Sequence, residues 1–159
     1  MEENQQKANE LIQQGNEFFQ NKLWLQAANC YEKAIALFTA YGTFYLVVGE
    51  CYFKDRNYEA AENAFKRLLD SFPEHDQGWW MLGQAVMMLQ RFPEAEEFYD
   101  KAIELGTTDV EPYYYGAQIK HLNGKKEEVL PLIQKIRETH PNWIKYAVED
   151  PILGEYVGD

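Results

Sequence analysis

Residues 45–73 read YLVVGECYFKDRNYEAAENAFKRLLDSFP, and residues 79–107 read WWMLGQAVMMLQRFPEAEEFYDKAIELGT. Superposed at an offset of 34, they set Tyr45 on Trp79, Gly49 on Gly83, Ala61 on Ala95 and Phe65 on Tyr99. The offset continues outward in both directions. Gly15, Gly49, Gly83 and Ala117 form one series, Ala27, Ala61, Ala95 and Val129 a second, and Tyr31, Phe65, Tyr99 and Ile133 a third. Leu11, Tyr45, Trp79 and Tyr113 precede the first series by one helical turn. A fixed period over four copies marks a repeat architecture. The small residues let two antiparallel helices approach closely, with larger apolar groups filling the space around them. Asn57 and the run Arg91-Phe92-Pro93-Glu94 mark helix starts, since proline is harmless in a first turn and glutamate suits the positive end of the dipole. One helix pair cannot bury its apolar face alone, so neighbouring pairs stack into a short solenoid.

The pattern resembles the tetratricopeptide repeat, with its W-x2-L-G-x2-Y, A-x3-F and late proline. The best copies are Tyr45-x2-Val48-Gly49-x2-Tyr52 with Ala61-x3-Phe65 and Pro73, and Trp79-x2-Leu82-Gly83-x2-Val86 with Ala95-x3-Tyr99. The resemblance implies an all-α fold: a right-handed αα superhelix of four helix–turn–helix repeats plus a C-terminal capping helix. The expected boundaries are a lead at 1–7, repeats at 8–41, 42–75, 76–109 and 110–143, and a cap or arm at 144–159. The fourth repeat is degenerate. Lys120 stands where an aromatic is expected, Ala117 replaces glycine, and Pro131 falls inside the expected second helix, where it would kink the axis. Asp150-Pro151 before Ile152-Leu153 reads as an N-cap, a first-turn proline and an apolar turn.

Composition narrows the function. With 15 basic and 26 acidic side chains the net charge is −11, which repels phosphate backbones and excludes nucleic acid as a partner. A hydrophobic content of 46% is too high for a disordered acidic tail. The polar start Met1–Lys7 has no signal-peptide pattern. The longest charge-free stretch, Ala34 to Gly49, is too short for a membrane span and is interrupted by Thr39, Gly42 and Thr43, so no membrane insertion is expected. Cys30 and Cys51 read as reduced, packed thiols, which fits a cytoplasmic setting.

No enzyme signature appears. His75, His121 and His140 lack metal-pair spacing, and there is no nucleophile elbow or phosphate loop. No catalytic residue, metal or cofactor is therefore expected. Glu94, Glu96, Glu97, Glu127 and Glu128 sit where second helices begin, so dipole matching and solvation explain them.

In the resembled family the first helices of successive repeats line a concave groove that grips a peptide or a partner helix. Carried onto this chain, the groove rows are Ile12, Leu46, Trp80 and Tyr114; then Asn16, Glu50, Gln84 and Gln118; then Phe19, Phe53, Met87 and His121, with Met81 beside them. Apolar rows offer pockets for side chains, amides can bond a peptide backbone, and methionines adapt to varied partners. Trp80 and Tyr114 are the expected anchors. The function expected is a non-catalytic adaptor or scaffold that binds an apolar or amphipathic peptide from a protein partner. Two alternatives stand beside it. One is a bacterial secretion-type chaperone for a hydrophobic exported protein. The other is a scaffold that self-assembles as a homo-oligomer through Trp143, Ile144, Tyr146 and Tyr156. The family's clamp for acidic chaperone tails is absent: Asn16 matches it, but Ile12, Val47, Gln77 and Met81 do not.

Overall fold

The computed structural model describes residues 2–158. Four antiparallel helix pairs follow one another: α1 (Glu2–Gln20) with α2 (Trp24–Leu37), α3 (Tyr45–Lys54) with α4 (Tyr58–Ser71), α5 (Asp76–Met88) with α6 (Phe92–Glu104), and α7 (Glu111–Leu122) with α8 (Val129–Thr139). Two short helices close the chain, α9 (Ile144–Glu149) and α10 (Gly154–Val157). Each of α1 to α8 packs on its sequence neighbours, while α3 touches α5 and α5 touches α7. The first helices α3, α5 and α7 are thereby laid side by side, and α1 shares one core cluster with α3, so the four form one layer of a solenoid.

What sets each pair is a ring seated on a glycine. A Cβ placed on Gly15 would lie 2.8 Å from the Tyr31 ring, one on Gly83 would lie 3.3 Å from the Tyr99 ring, and one on Gly49 would run into Phe65 more closely than either. All three rings are buried to within 2% of full enclosure. Ring and glycine keep the same separation in sequence in every case, and Ala117 and Ile133 keep it in the fourth pair.

The turn inside each pair also repeats. Lys22, Arg56, Gln90 and Gly124 take φ of 59°, 63°, 60° and 79°, one such residue at the same position of each repeat. The next residue's N–H bonds back across the turn, Leu23 to Phe18, Asn57 to Tyr52, Arg91 to Val86 and Lys125 to Lys120, which closes the first helix with a Schellman motif. The Asn57 side chain accepts from the Ala60 N–H at 3.2 Å and caps α4 as its position predicts. His75 does the same for α5, its Nδ1 accepting from the Gly78 N–H at 3.1 Å.

Ion pairs staple successive repeats on the side of the second helices. Glu62 on α4 accepts from Arg91 at 2.7 Å and from Lys66 at 2.6 Å. Glu96 on α6, one repeat on, accepts from Lys125 at 2.7 Å, Asn123 at 2.6 Å and Lys120 at 3.1 Å. Glu96 is therefore not a solvated dipole partner as its position in the Glu94–Glu97 run suggests. It is buried, and its lone pairs are taken by the next repeat. Lys120 is buried as well and bonds Asp100 at 3.1 Å and Glu128 at 2.9 Å besides Glu96. An ion cage replaces the aromatic expected at that position.

Pro131 does not kink a helix. A 3₁₀ turn at Lys126–Glu128 delays the start of α8 to Val129, so Pro131 is its third residue. A first-turn N–H has no partner within the helix, and proline costs little there.

Gly49→Ala is expected to lower stability by about 1–3 kcal/mol through overpacking against Phe65. Gly116→Ala should raise it by up to about 1 kcal/mol, because its Cβ meets only ordinary contacts, 3.6 Å from Leu132, and alanine favours the helix. Urea unfolding of the two variants beside the parent checks both signs.

The Glu62 and Glu96 carboxyls sit below the usual range. Burial raises each, but hydrogen bonds from Lys66 and Arg91 to Glu62, and from Lys125, Asn123 and Lys120 to Glu96, outweigh it. A depressed folded pKa gives stability that is full above the unfolded value of about 4.3 and is lost as pH falls through the folded values. The thermal midpoint should therefore fall between about pH 5 and pH 3. Glu96→Gln should start lower at neutral pH and fall less over that window.

Candidate functional site

The layer formed by α1, α3, α5 and α7 carries the three rows named from the sequence. In the first two repeats they are open. Asn16 is exposed, and Ile12, Phe19, Leu46, Glu50 and Phe53 are half-buried. Phe19 packs edge-on against Trp24, and Phe53 against Tyr58, at ring centroid distances of 5.1 and 5.3 Å. Both rings are braced from the start of the second helix, with one side left to solvent. Some polar atoms of these rows are already engaged: Asn16 Oδ1 accepts from Tyr31 at 2.8 Å, and Glu50 pairs with Lys54 at 3.4 Å.

The third repeat is mixed. Gln84 and Met87 are half-buried and Met88 is 44% exposed, whereas Trp80 and Met81 retain only 9% and 8% of their surface. Trp80 fills the junction between the third and fourth repeats, where its Nε1–H donates to Asp109 at 2.9 Å.

The fourth repeat is covered by the chain itself. α9 begins where a fifth first helix would, and it ends at Glu149 because Asp150, the residue before a proline, is pushed out of the α region. Asp150 has ψ of 128°, and the chain turns back from there. Its carboxylate accepts from Tyr114 Oη at 2.9 Å and from Gln118 Nε2 at 2.6 Å, and it caps the turn through the Ile152 and Leu153 N–H groups at 2.8 and 2.9 Å. His121 Nδ1 lies 2.8 Å from Tyr156 Oη and 3.4 Å from Glu155. Tyr114, Gln118 and His121, one residue from each row, are thus all met by the C-terminal arm. The Asp150-Pro151 signal was readable in the sequence, but where the arm lands was not. Nothing local to residues 150–157 specifies three side chains on a helix so far upstream.

The electrostatics fit an ionised carboxylate held by neutral donors. Burial raises the Tyr114 phenol and its bond to Asp150 raises it further, so it stays a donor. Burial opposes ionisation of Asp150, yet the Leu153, Ile152, Tyr114 and Gln118 donors bring its carboxyl below the usual range. Burial pushes the Cys51 thiol to about 12, with Glu50 adding to the rise, which leaves it protonated and packed. Among the described residues no group of histidine, cysteine and carboxylate side chains is placed to hold a metal ion, and no helix is long and apolar enough to cross a membrane.

The tetratricopeptide repeat model matches residues 12–62 and 52–110. Over 110 residues the chain is 30% identical to the protein STIP1 homolog of Dictyostelium discoideum, covering 69% of this chain and 19% of that protein. Over 97 residues it is 27% identical to the human protein O-mannosyl-transferase TMTC2, covering 59% of this chain and 12% of that protein. It thus spans about a fifth or less of these relatives. Among solved structures it is similar to YrrB, described as a TPR protein with an unusual peptide-binding site, with a TM-score of 0.78 at 23% identity over 98% of this chain and 80% of that one. It is similar to MamA with a TM-score of 0.78 at 20% identity, covering 87% and 81%. It is also similar to the first TPR of Spaghetti (RPAP3) bound to the HSP90 peptide SRMEEVD, with a TM-score of 0.70 at 22% identity, covering 76% and 95%. At these identities the structural likeness is one of fold.

Asp150→Ala is expected to cost about 1–3 kcal/mol, since it removes a cap and strips Tyr114 and Gln118 of their acceptor. The measurement is hydrogen exchange at the Ile152 and Leu153 amides, which should quicken well beyond the change at α3 or α5 if the arm loosens locally.

Proposed function

Since this chain belongs to the tetratricopeptide repeat family, we propose that it is a protein-interaction module, without catalysis of its own, that binds an apolar or amphipathic peptide along α1, α3 and α5. The observation that carries this reading is the row Phe19, Phe53 and Met87. These are three large apolar side chains at one shared repeat position, left half-exposed on successive first helices. A core position would be enclosed, as Tyr31, Phe65 and Tyr99 are. A solvated position would be polar. Exposed Met88 and Leu122 extend the apolar strip at its edge, at 44% and 47% of their surface. Asn16 and Gln84 lie one helical turn back and offer amides to a peptide backbone.

The ligand differs in kind from the acidic HSP90 peptide held by the RPAP3 domain. Ile12, Val47, Gln77 and Met81 supply no positive charge to a carboxylate, and a chain of net charge −11 repels one. The anchor role along the strip moves from Trp80, packed between repeats, and Tyr114, met by the C-terminal arm, to Phe19, Phe53 and Met87. A truncated aromatic anchor typically weakens binding by about 2 kcal/mol or more.

The test is selection of peptides from a random displayed library against the whole chain, followed by affinity measurement with Phe53→Glu. Apolar side chains in the selected peptides, with affinity at least tenfold weaker for Phe53→Glu at an unchanged melting temperature, are expected. Equal affinity for parent and variant would remove the groove assignment.

A further inference from the structure

Where the arm meets α7, the rings of Tyr114, Tyr115, Trp143 and Tyr146 line a pocket of about 300 Å³. The rings stand edge to face. Tyr114 meets Tyr115 at 90° and 5.4 Å, Tyr114 meets Trp143 at 64° and 5.8 Å, and Trp143 meets Tyr146 at 61° and 5.2 Å. In each pair one ring sets its edge against its neighbour, and all four line the opening between them. Tyr146 keeps 48% of its surface, which a ring serving only as packing would lose.

An aromatic face is the negative part of the ring quadrupole, so several faces around one opening attract a cation. The local charges add to this. Tyr114 donates to the Asp150 carboxylate at 2.9 Å, which pushes electron density into its ring and sets a negative charge beside the pocket. The chain's own Lys145 already stands 4.8 Å over the Tyr146 ring, so this ring takes an ammonium in the folded protein. The net charge of −11 draws cations to the surface as a whole.

We propose that the four rings form a cation-binding cage for an alkylammonium group, a lysine or methylated lysine side chain carried by the partner peptide. The pocket includes Tyr114 of the first groove row and lies at the C-terminal end of that row. As an assignment of partner chemistry the proposal rests on the groove reading, and as a binding property of the pocket it stands alone. It gives the partner a polarity: apolar side chains over the first three repeats and a cation at the fourth.

The test uses choline and its neutral carbon isostere 3,3-dimethylbutan-1-ol, titrated at constant ionic strength while the Trp143 indole resonance is followed by NMR. Saturable shifts with choline, about tenfold weaker binding of the isostere, and loss of choline binding in Tyr146→Leu but not in Tyr146→Phe are expected. Equal binding of the two probes would make the pocket an apolar slot and overturn the proposal, as would no saturable shift with choline. Phe53→Glu should leave choline binding unchanged, so a failed groove and a failed cage give different results. For the partner, replacing lysine by norleucine in a selected peptide should weaken binding to the parent and not to Tyr146→Leu. Selected peptides without any cation would overturn the partner assignment.

Discussion

The close seat of an aromatic ring on a glycine, Tyr31 on Gly15, Phe65 on Gly49 and Tyr99 on Gly83, is the constraint from which the rest of the molecule follows. With no Cβ in the way, the second helix of each pair lies close against the first, and the ring fills the space that side chains would otherwise hold apart. Helices paired this closely have one face left for the neighbouring pair and one for solvent. Because the spacing recurs once per repeat without a slip, the first helices fall into register, and side chains at equivalent repeat positions line up as rows. The rows exist because the rings are seated. A shift of one residue in either helix would rotate Phe19, Phe53 and Met87 off their common face.

A second layer of order joins the pairs to one another. Glu62 with Arg91 and Glu96 with Lys125 each span 29 residues and recur one repeat apart, tying the second helix of one pair to the turn of the next. Lys120 extends the second staple into a cage with Asp100 and Glu128. Burying these charges is tolerable because each has several partners, and among the described residues no buried side-chain nitrogen or oxygen lacks one. The same arrangement separates the two surfaces. The paired charge that joins repeats gathers on the side of the second helices, and the apolar rows lie on the first, beside the Glu50–Lys54 pair of α3.

The helix pairs were legible in the sequence because small residues and aromatics keep their spacing whatever the tertiary detail. The turns were not. Lys22, Arg56 and Gln90 hold left-handed backbone that normally advertises itself as glycine, and only Gly124 does so. The rows were legible as positions but not as surfaces. Whether Trp80 faces a partner or a neighbouring repeat depends on Asp109 in the following loop, and whether Tyr114 is open depends on Asp150, which is 36 residues away. Glu96 misled for a related reason. A charged residue read alone belongs in water, and the burial of Glu96 becomes intelligible only once Lys120, Asn123 and Lys125 are brought to it by the fold.

A partner peptide along the open strip of the first three repeats, bounded by the arm at the fourth, is detected by intermolecular NOEs between a selected, isotope-filtered peptide and the labelled full chain. Contacts to the side chains of Phe19, Phe53 and Met87 on α1, α3 and α5 are expected. Contacts confined to α2, α4 and α6, on the charged side of the solenoid, would contradict that placement.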